Sequence, residues 1–233
     1  MNNPDSYQLI DISQPVDHKT ASFPGDVKFS KTVTMTVAKS KIINLTAITM
    51  SPHVGTHADA PVHITGELPP ANMHEHATTV GQLPLEPYIG PCVVVDVTGE
   101  SLHINGVTPE MIEPKLSGYK QFPQRLLLRT QSTVRYDVFE KTYAWISFEL
   151  AEYLGQKGIL LVGLDTPSVD PVDSKSLKTH HTLMGHGIHW LENLDLTHAP
   201  EGKYFLMAQP LKLMEAEASP VRAVLLKPAG AFQ

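Results

Sequence analysis

The sequence predicts an α/β fold with a mixed central sheet. Two near-continuous apolar runs, Arg125–Thr130 and Ile159–Asp165, are typical of strands buried on both faces. Between them, Ser147–Lys157 is predicted to be a helix, which Ser147 caps and Gly158 ends. A strand, a helix and a strand at this length indicate a βαβ unit with parallel strands.

Further elements are predicted on both sides of this unit. Thr108–Leu116 begins with Thr-Pro-Glu, a pattern typical of the start of a short helix. Ile64–Pro91 is rich in proline but keeps apolar residues, which predicts a long irregular loop over the functional site and a candidate lid. Six segments with alternating or continuous apolar residues are predicted to be strands: Tyr7–Ser13, Val27–Val37, Ile42–Met50, Cys92–Val97, Tyr204–Gln209 and Val221–Lys227. The second and third of these are expected to pair as a hairpin.

The composition excludes several classes of protein. With 233 residues, 42% of them hydrophobic, the chain can bury a core, and we expect one domain over residues 1–233. The net charge of −6 argues against a nucleic-acid partner, and no apolar run approaches the roughly 20 residues of a membrane span. The single cysteine, Cys92, excludes an intramolecular disulfide and is predicted to lie in the core. Because the N-terminal residues lack the features of a signal peptide, we expect cytoplasmic residence.

The segment Ser51–His63 concentrates side chains that bind metals and transfer protons. His53, His57, Asp59 and His63 all lie within it. The 12 histidines of the chain fall mainly in two clusters, at residues 53–76 and 180–198. Two clusters are what a site assembled from distant segments requires.

Neither regular secondary structure brings the four side chains of Ser51–His63 together. In a helix, His53 and His57 would share a face, but Asp59 would point elsewhere. In a strand, the first and last histidines would be roughly 33 Å apart at about 3.3 Å per residue. We therefore predict a bent loop that follows a strand and surrounds a metal, with Gly55 and Pro61 permitting and fixing the bends.

The second cluster, His180–Glu192, follows the predicted strand Ile159–Asp165 at the edge where open α/β sheets bind ligands. One straight helix would place His180 and Glu192 about 18 Å apart at about 1.5 Å per residue. A shared site therefore requires a break, which Gly185 and Gly187 permit. An amphipathic helix with solvated histidines is an equal alternative.

Together the two clusters predict an open catalytic metal site. Three or four ligands from residues 53–63, with one histidine and one carboxylate from residues 180–192, give mixed nitrogen and oxygen ligation without a thiolate. This set suits Zn²⁺ or Mn²⁺ and, with bridging carboxylates, two ions.

The motif His53-Val-Gly-Thr-His-Ala-Asp-Ala-Pro-Val-His63 resembles the signature of the cyclase-like metal hydrolases, and within them that of the bacterial kynurenine formamidases, or arylformamidases. Further matches extend the resemblance over most of the chain, including Phe23-Pro-Gly-Asp26, Gly163-Leu-Asp-Thr-Pro-Ser168 and Ala218-Ser-Pro-Val-Arg-Ala223. The resemblance implies the swivelling β/β/α fold of the family and a homodimer.

The resemblance also implies a ligand set for two Zn²⁺ ions per subunit, with Mn²⁺ as the alternative. By this resemblance, His53, His57 and Asp59 bind the first ion, and Asp59 bridges to the second. His180 binds the second ion and Glu192 bridges both. His180 is preferred to its neighbour His181 only because of the family's spacing to Glu192.

The same resemblance implies the reaction. We expect hydrolysis of N-formyl-L-kynurenine to L-kynurenine and formate, a step of tryptophan degradation by the kynurenine pathway, through a hydroxide bridging the metals. His63 is the implied proton donor and acceptor. Phe23 occupies the position of a substrate-lining aromatic residue that is typically tryptophan in the formamidases. The loop at Ile64–Leu83 is longer and richer in histidine than the family leads us to expect.

Two alternatives stay open. One is a related hydrolase that opens another amide, such as isatin, with manganese. The other is a non-catalytic metal-binding module, against which the intact His63 argues. His74-Glu75-His76 is expected to be solvated rather than ligating. Trp145 and Trp190 are assigned to the core or an interface, and Arg222 to the surface rather than to a substrate carboxylate.

Overall fold

The computed structural model of the chain describes residues 7–66, 78–100 and 106–228. The strands are β1 (Tyr7–Asp11), β2 (Ser30–Met35), β3 (Leu45–Thr49), β4 (His57–Asp59), β5 (Ile89–Asp96), β6 (Arg125–Arg129), β7 (Leu161–Leu164), β8 (His189–Glu192), β9 (Gly202–Met207), β10 (Ala218–Pro220) and β11 (Val224–Pro228). The α-helices are α1 (Val37–Ser40), α2 (Pro109–Leu116), α3 (Phe148–Gln156) and α4 (Lys178–Gly185), and 3₁₀ turns lie at Pro61–His63, Val80–Gln82 and Glu86–Tyr88.

Within the described residues, a nine-stranded mixed sheet runs in the order β1-β11-β9-β5-β6-β7-β8-β4-β10. The strands β5, β6, β7 and β8 are parallel to one another, and the remaining pairs are antiparallel. The predicted βαβ unit is β6, α3 and β7, with Ser147 accepting a hydrogen bond from the backbone N–H of Leu150 at 3.1 Å as the helix cap. The α/β fold with a mixed central sheet is confirmed.

The central strands are buried on both faces. In β6, Leu126 and Leu128 pack in one apolar layer with Leu150 and Leu154 of α3, whereas Leu127 packs in the opposite layer. Burial of each such leucine stabilises the fold by about 1.5–3 kcal/mol. Cys92 lies in the same layer as Leu127, and burial raises the pKa of this thiol to about 12, as expected of an unreactive core residue.

The predicted hairpin is confirmed, but it is shorter than predicted and stands apart from the main sheet. β2 and β3 form a separate two-stranded sheet, and the one-turn helix α1 lies between them. Every residue of both strands is exposed, including apolar side chains such as Val33 and Ile48.

The proline-rich loop is shorter than predicted, because β5 begins at Ile89. At Pro91, β5 pairs only with β9, since its pairing with β6 starts at Val93, so the strand tolerates the missing N–H of proline there. His74-Glu75-His76 and the middle of the candidate lid, residues 67–77, lie outside the described residues, whereas the described end of that segment forms the 3₁₀ turns at Val80–Gln82 and Glu86–Tyr88. In the part of the chain that the structure describes, no helix is long and apolar enough to cross a membrane.

Candidate metal centre and active site

The pairing of two short strands brings the two predicted clusters together. β4 lies antiparallel to β8, with His57 directly opposite Glu192. His57 Nε2 is 3.3 Å from Glu192 Oε2 and 3.4 Å from Asp59 Oδ1. Because side chains alternate along a strand, His57 and Asp59 share one face while Ala58 enters the core. The prediction of a loop is therefore wrong for His57–Asp59, which forms a strand stabilised by its neighbours β8 and β10.

The chain bends on both sides of β4, as predicted. Gly55 has a φ of 72°, and a Cβ atom there would approach Val16 Cγ2 to 2.8 Å, so glycine is required. This bend returns His53 to the site, with His53 Nδ1 3.1 Å from Asp59 Oδ1. Pro61 begins the 3₁₀ turn that follows β4, and this turn places His63 Nε2 3.9 Å from Asp59 Oδ2.

The helix α4 supplies the distal histidine. His180 Nε2 lies 3.8 Å from Asp59 Oδ2 and 3.6 Å from Glu192 Oε1. The helix ends at Gly185, and Gly187, with a φ of 69°, turns the chain into β8. His180 is buried, whereas His181 is exposed. The alternative of solvated histidines on a helix therefore holds for His181 but not for His180.

Neighbouring groups fix which ring nitrogens face the site. His57 Nδ1 donates to the carbonyl of Gly55 at 2.8 Å, and His180 Nδ1 donates to Asp170 Oδ2 at 2.6 Å. In both rings these acceptors hold Nδ1, which leaves Nε2 as the nitrogen that faces the carboxylates of the site. In metal sites, a hydrogen bond from the ring nitrogen that does not bind the metal orients the imidazole ligand in this way.

Three contributors to the site were missed in the sequence. Asp170 had no assigned role, and Trp190 was assigned to the core or an interface. Trp190 is buried, but its Nε1 also donates to Asp59 Oδ2 at 3.0 Å. Glu217 had no assigned role, and its Oε1 lies 3.6 Å from His53 Nε2. All three contacts depend on the tertiary fold, which brings together residues that are separated in the sequence.

The electrostatics of the cluster favour bound cations. Burial alone would lower the pKa of His53, but Asp59 beside it raises this pKa to about 10. Burial likewise opposes protonation of His180, yet its hydrogen bonds with Asp170 and Asp59 raise its pKa to about 10. Burial would raise the pKa of Asp59, but the surrounding histidines hold it well below its usual range. Burial lowers the pKa of His63, which lies toward the cavity.

The donor atoms fit a metal site. His57 Nε2 and Asp59 Oδ1 are buried and have no hydrogen-bond partner among the described residues. Two groups of candidate ligand atoms each lie within 4.8 Å of one another, namely His53, His57 and Asp59, and Asp59, His63 and His180. An unpartnered imidazole nitrogen and carboxylate oxygen, buried together, are the expected arrangement of hard and borderline ligands for a divalent cation.

The cluster forms one wall of a cavity of about 610 Å³. Aromatic side chains line another part of it. The ring of Phe23 lies edge-on to Phe139 at 5.1 Å, and Phe139 lies edge-on to Tyr143 at 6.4 Å between centroids. A cavity with metal ligands on one side and aromatic rings on another is suited to an aryl substrate.

Asp165 shapes a third part of the cavity wall. It accepts hydrogen bonds from the backbone N–H groups of Thr130 and Gln131 and from Thr130 Oγ1. Burial raises the pKa of Asp165 to about 6 against the effect of these hydrogen bonds. The carboxylate thereby holds the start of the loop 131–143, which lines the cavity.

The residues 10–171 match the family model described as putative cyclase. The chain belongs to this family. It is 42% identical over 218 residues to the kynurenine formamidase of Bacillus cytotoxicus, with 94% of this chain and 97% of the relative covered. Among solved structures it resembles a protein described as a predicted metal-dependent hydrolase from Bacillus stearothermophilus, with a TM-score of 0.76, 26% identity and coverage of 95% and 98% of the two chains. Isatin hydrolase A from Labrenzia aggregata has the same fold, with a TM-score of 0.77, 23% identity and coverage of 96% and 94%.

Proposed function

We propose that this chain is a metal-dependent amidohydrolase that converts N-formyl-L-kynurenine to L-kynurenine and formate. The observation that carries the proposal is the convergence of His53, His57, Asp59, His180 and Glu192 in one cluster beside a cavity with aromatic sides. The relative from Bacillus cytotoxicus, similar over nearly the whole of both chains, is named for the same reaction.

We further propose two Zn²⁺ ions per subunit, with Mn²⁺ as the alternative. His53, His57 and Asp59 would hold the first and His180 the second, and the carboxylates of Asp59 and Glu192 would be shared between them. Asp59 belongs to both groups of candidate ligand atoms, which supports a shared carboxylate. When bound, such ions supply Lewis acidity for the formyl oxygen and lower the pKa of coordinated water to about 7.

His63 is proposed to move the proton. Its side chain keeps 31% of its surface accessible, whereas those of His57 and Asp59 are almost fully buried. It lies beside the cluster on the cavity wall, where it can accept a proton from the attacking water and deliver it to the anilide nitrogen. Without that proton the nitrogen is a poor leaving group. His63 also belongs to the second group of candidate ligand atoms, so the metal content of a His63 variant must be measured to separate proton transfer from metal binding.

Phe23 is proposed to contact the aryl ring of the substrate. The Phe23 ring lies in the cavity wall with Phe139 edge-on against it, so one aromatic surface is held in a fixed orientation. Phenylalanine retains stacking but has no indole N–H to donate a hydrogen bond.

The test is formate release from N-formyl-L-kynurenine compared with ring opening of isatin, using one preparation loaded with zinc and one with manganese. We expect the formamide to have the higher kcat/KM. Preferred turnover of isatin would favour the related amide hydrolase, and turnover of neither substrate would favour a metal-binding module.

A homodimer is also proposed. An isolated two-stranded hairpin is marginally stable in water, yet β2, β3 and the segment between them expose apolar side chains, including Val33, Ile42 and Ile48. A second copy of the chain covering this hairpin would remove those side chains from water. Cytoplasmic residence and a single domain stay predictions.

A further inference from the structure

The cavity contains one cationic side chain that the proposed chemistry does not use. Besides the metal cluster, its described walls carry the acidic residues Asp26, Glu100, Glu140 and Asp165. Arg135 is the one lysine or arginine among the described residues that line it. An acidic cavity repels an anionic substrate unless a cation is placed to receive it.

The four arginines of the chain differ in how their guanidinium groups are used. Arg125 is buried and donates to the carbonyls of Pro87, at 2.7 Å, and Glu86. The guanidinium of Arg129 pairs with Asp96 at 2.6 Å.

Arg222 binds Asp11 through three hydrogen bonds at the surface, in agreement with its assignment there. The one ion pair of Arg135 within the described residues is a contact between Arg135 Nε and Asp137 Oδ1 at 3.7 Å, beyond hydrogen-bond distance. The Arg135 side chain is 59% exposed. Its fork of donors is therefore available to a ligand.

The backbone on both sides of Arg135 is anchored. Val134 N donates to Thr197 Oγ1 at 3.1 Å, and the carbonyl of Tyr136 accepts from Ala21 N at 2.8 Å. The second bond joins the loop 131–143 to the segment that carries Phe23. Arg135 is thus held on a fixed part of the wall next to the aromatic residues.

The substrate of the proposed function has three parts with different chemistry. Its formyl group must reach the metal cluster, its aryl ring fits the aromatic wall, and its amino-acid end carries an α-carboxylate. A guanidinium matches a carboxylate with two parallel hydrogen bonds. We propose that Arg135 binds this carboxylate and makes the cavity selective for aryl formamides that carry an amino-acid side chain. This inference rests on the proposed function and adds the residue that determines specificity.

The test compares Arg135→Met and Arg135→Lys on N-formyl-L-kynurenine and on N-formylkynuramine, which lacks only the carboxylate. Loss of a charge-assisted hydrogen bond in a partly exposed site should raise KM for N-formyl-L-kynurenine about 10–100-fold in Arg135→Met. We expect kcat within about 3-fold of wild type and turnover of N-formylkynuramine within about 2-fold, since neither depends on the carboxylate contact. Arg135→Lys should lie between, because lysine keeps the charge without the fork.

Arg222→Met is the matched control, since Arg222 is an exposed arginine outside the cavity, and it should leave both substrates unchanged. Equal losses on both substrates in Arg135→Met, or no loss on either, would overturn the proposal.

Calorimetric binding of L-kynurenine and kynuramine gives a readout that does not depend on turnover. Weaker binding of L-kynurenine alone in Arg135→Met would support the role of Arg135 even if wild type released no formate, in which case the proposed function fails by itself. A wild-type chain that does not bind L-kynurenine would refute the role of Arg135.

Discussion

Replacement of Asp170 by asparagine should weaken metal binding without touching a proposed ligand. Asp170 Oδ2 accepts from His180 Nδ1 at 2.6 Å and from the backbone N–H of His180 at 2.9 Å, while Oδ1 accepts from Thr179 N at 3.1 Å. Asparagine offers one acceptor oxygen and an NH₂ group in place of the second. Either the ring loses its charged acceptor, or it changes tautomer and turns a protonated Nε2 toward the site.

The expected size of the effect follows from this geometry. The contact is buried, short and charge-assisted, and such hydrogen bonds contribute about 1.5–3 kcal/mol. Loss of the group that orients an imidazole ligand typically lowers metal affinity or activity about 10–100-fold. We therefore expect Asp170→Asn to bind zinc about 10–100-fold more weakly, with a matching fall in activity at limiting metal that excess metal partly restores.

Competition with a chromogenic chelator measures the affinity, and circular dichroism checks that the variant is folded. Asp11→Asn is the control, because Asp11 carries an ion pair with Arg222 at the surface. A folded Asp170→Asn variant with wild-type zinc affinity and kcat would show that Asp170 does not orient His180.

Three further predictions concern other parts of the chain. His63→Ala should retain its metal by elemental analysis and lose about 10²–10⁴-fold in kcat; loss of metal with retained turnover would make His63 a ligand instead. Burial raises the pKa of Asp165 from 3.8 to about 6. Between about pH 4 and 6 the folded chain therefore keeps a proton that the unfolded chain releases. Protonated Asp165 stabilises the folded chain at low pH, and this stabilisation is lost as the pH rises through that range. The free energy of unfolding in urea should therefore fall by up to about 3 kcal/mol across this pH range in wild type but not in Asp165→Asn. The same pH dependence in both proteins would refute the raised pKa of Asp165. Ile48→Asp on the hairpin should shift the mass in solution from dimer to monomer by light scattering, whereas a monomeric wild-type chain would contradict the homodimer.

The sequence was sufficient for the parts of the fold that depend on periodicity and composition. The buried strands β6 and β7 were predicted because their residues are apolar on both faces, and the helix between them because Ser147 and Gly158 mark its ends. β4 could not be predicted, because His57–Asp59 is short and polar and becomes a strand only between β8 and β10.

The site shows the same division between local and tertiary information. The break at Gly185 and Gly187 was visible as a requirement of geometry, and the chain does turn there. The sequence chose His180 over His181 only through the family's spacing to Glu192, whereas the physical difference between them is the packed face of α4, on which His180 is buried one turn from Leu183. Asp170 had no local signal for its contact with His180, because the fold determines the distance between them.

One measurement tests the proposed function most directly, namely the formate released from N-formyl-L-kynurenine by protein of known metal content. We expect formate and L-kynurenine in equal amounts, loss of this turnover when a chelator removes the metal, and its return when zinc is added back. No formate from metal-loaded protein, or turnover that persists without metal, would contradict it.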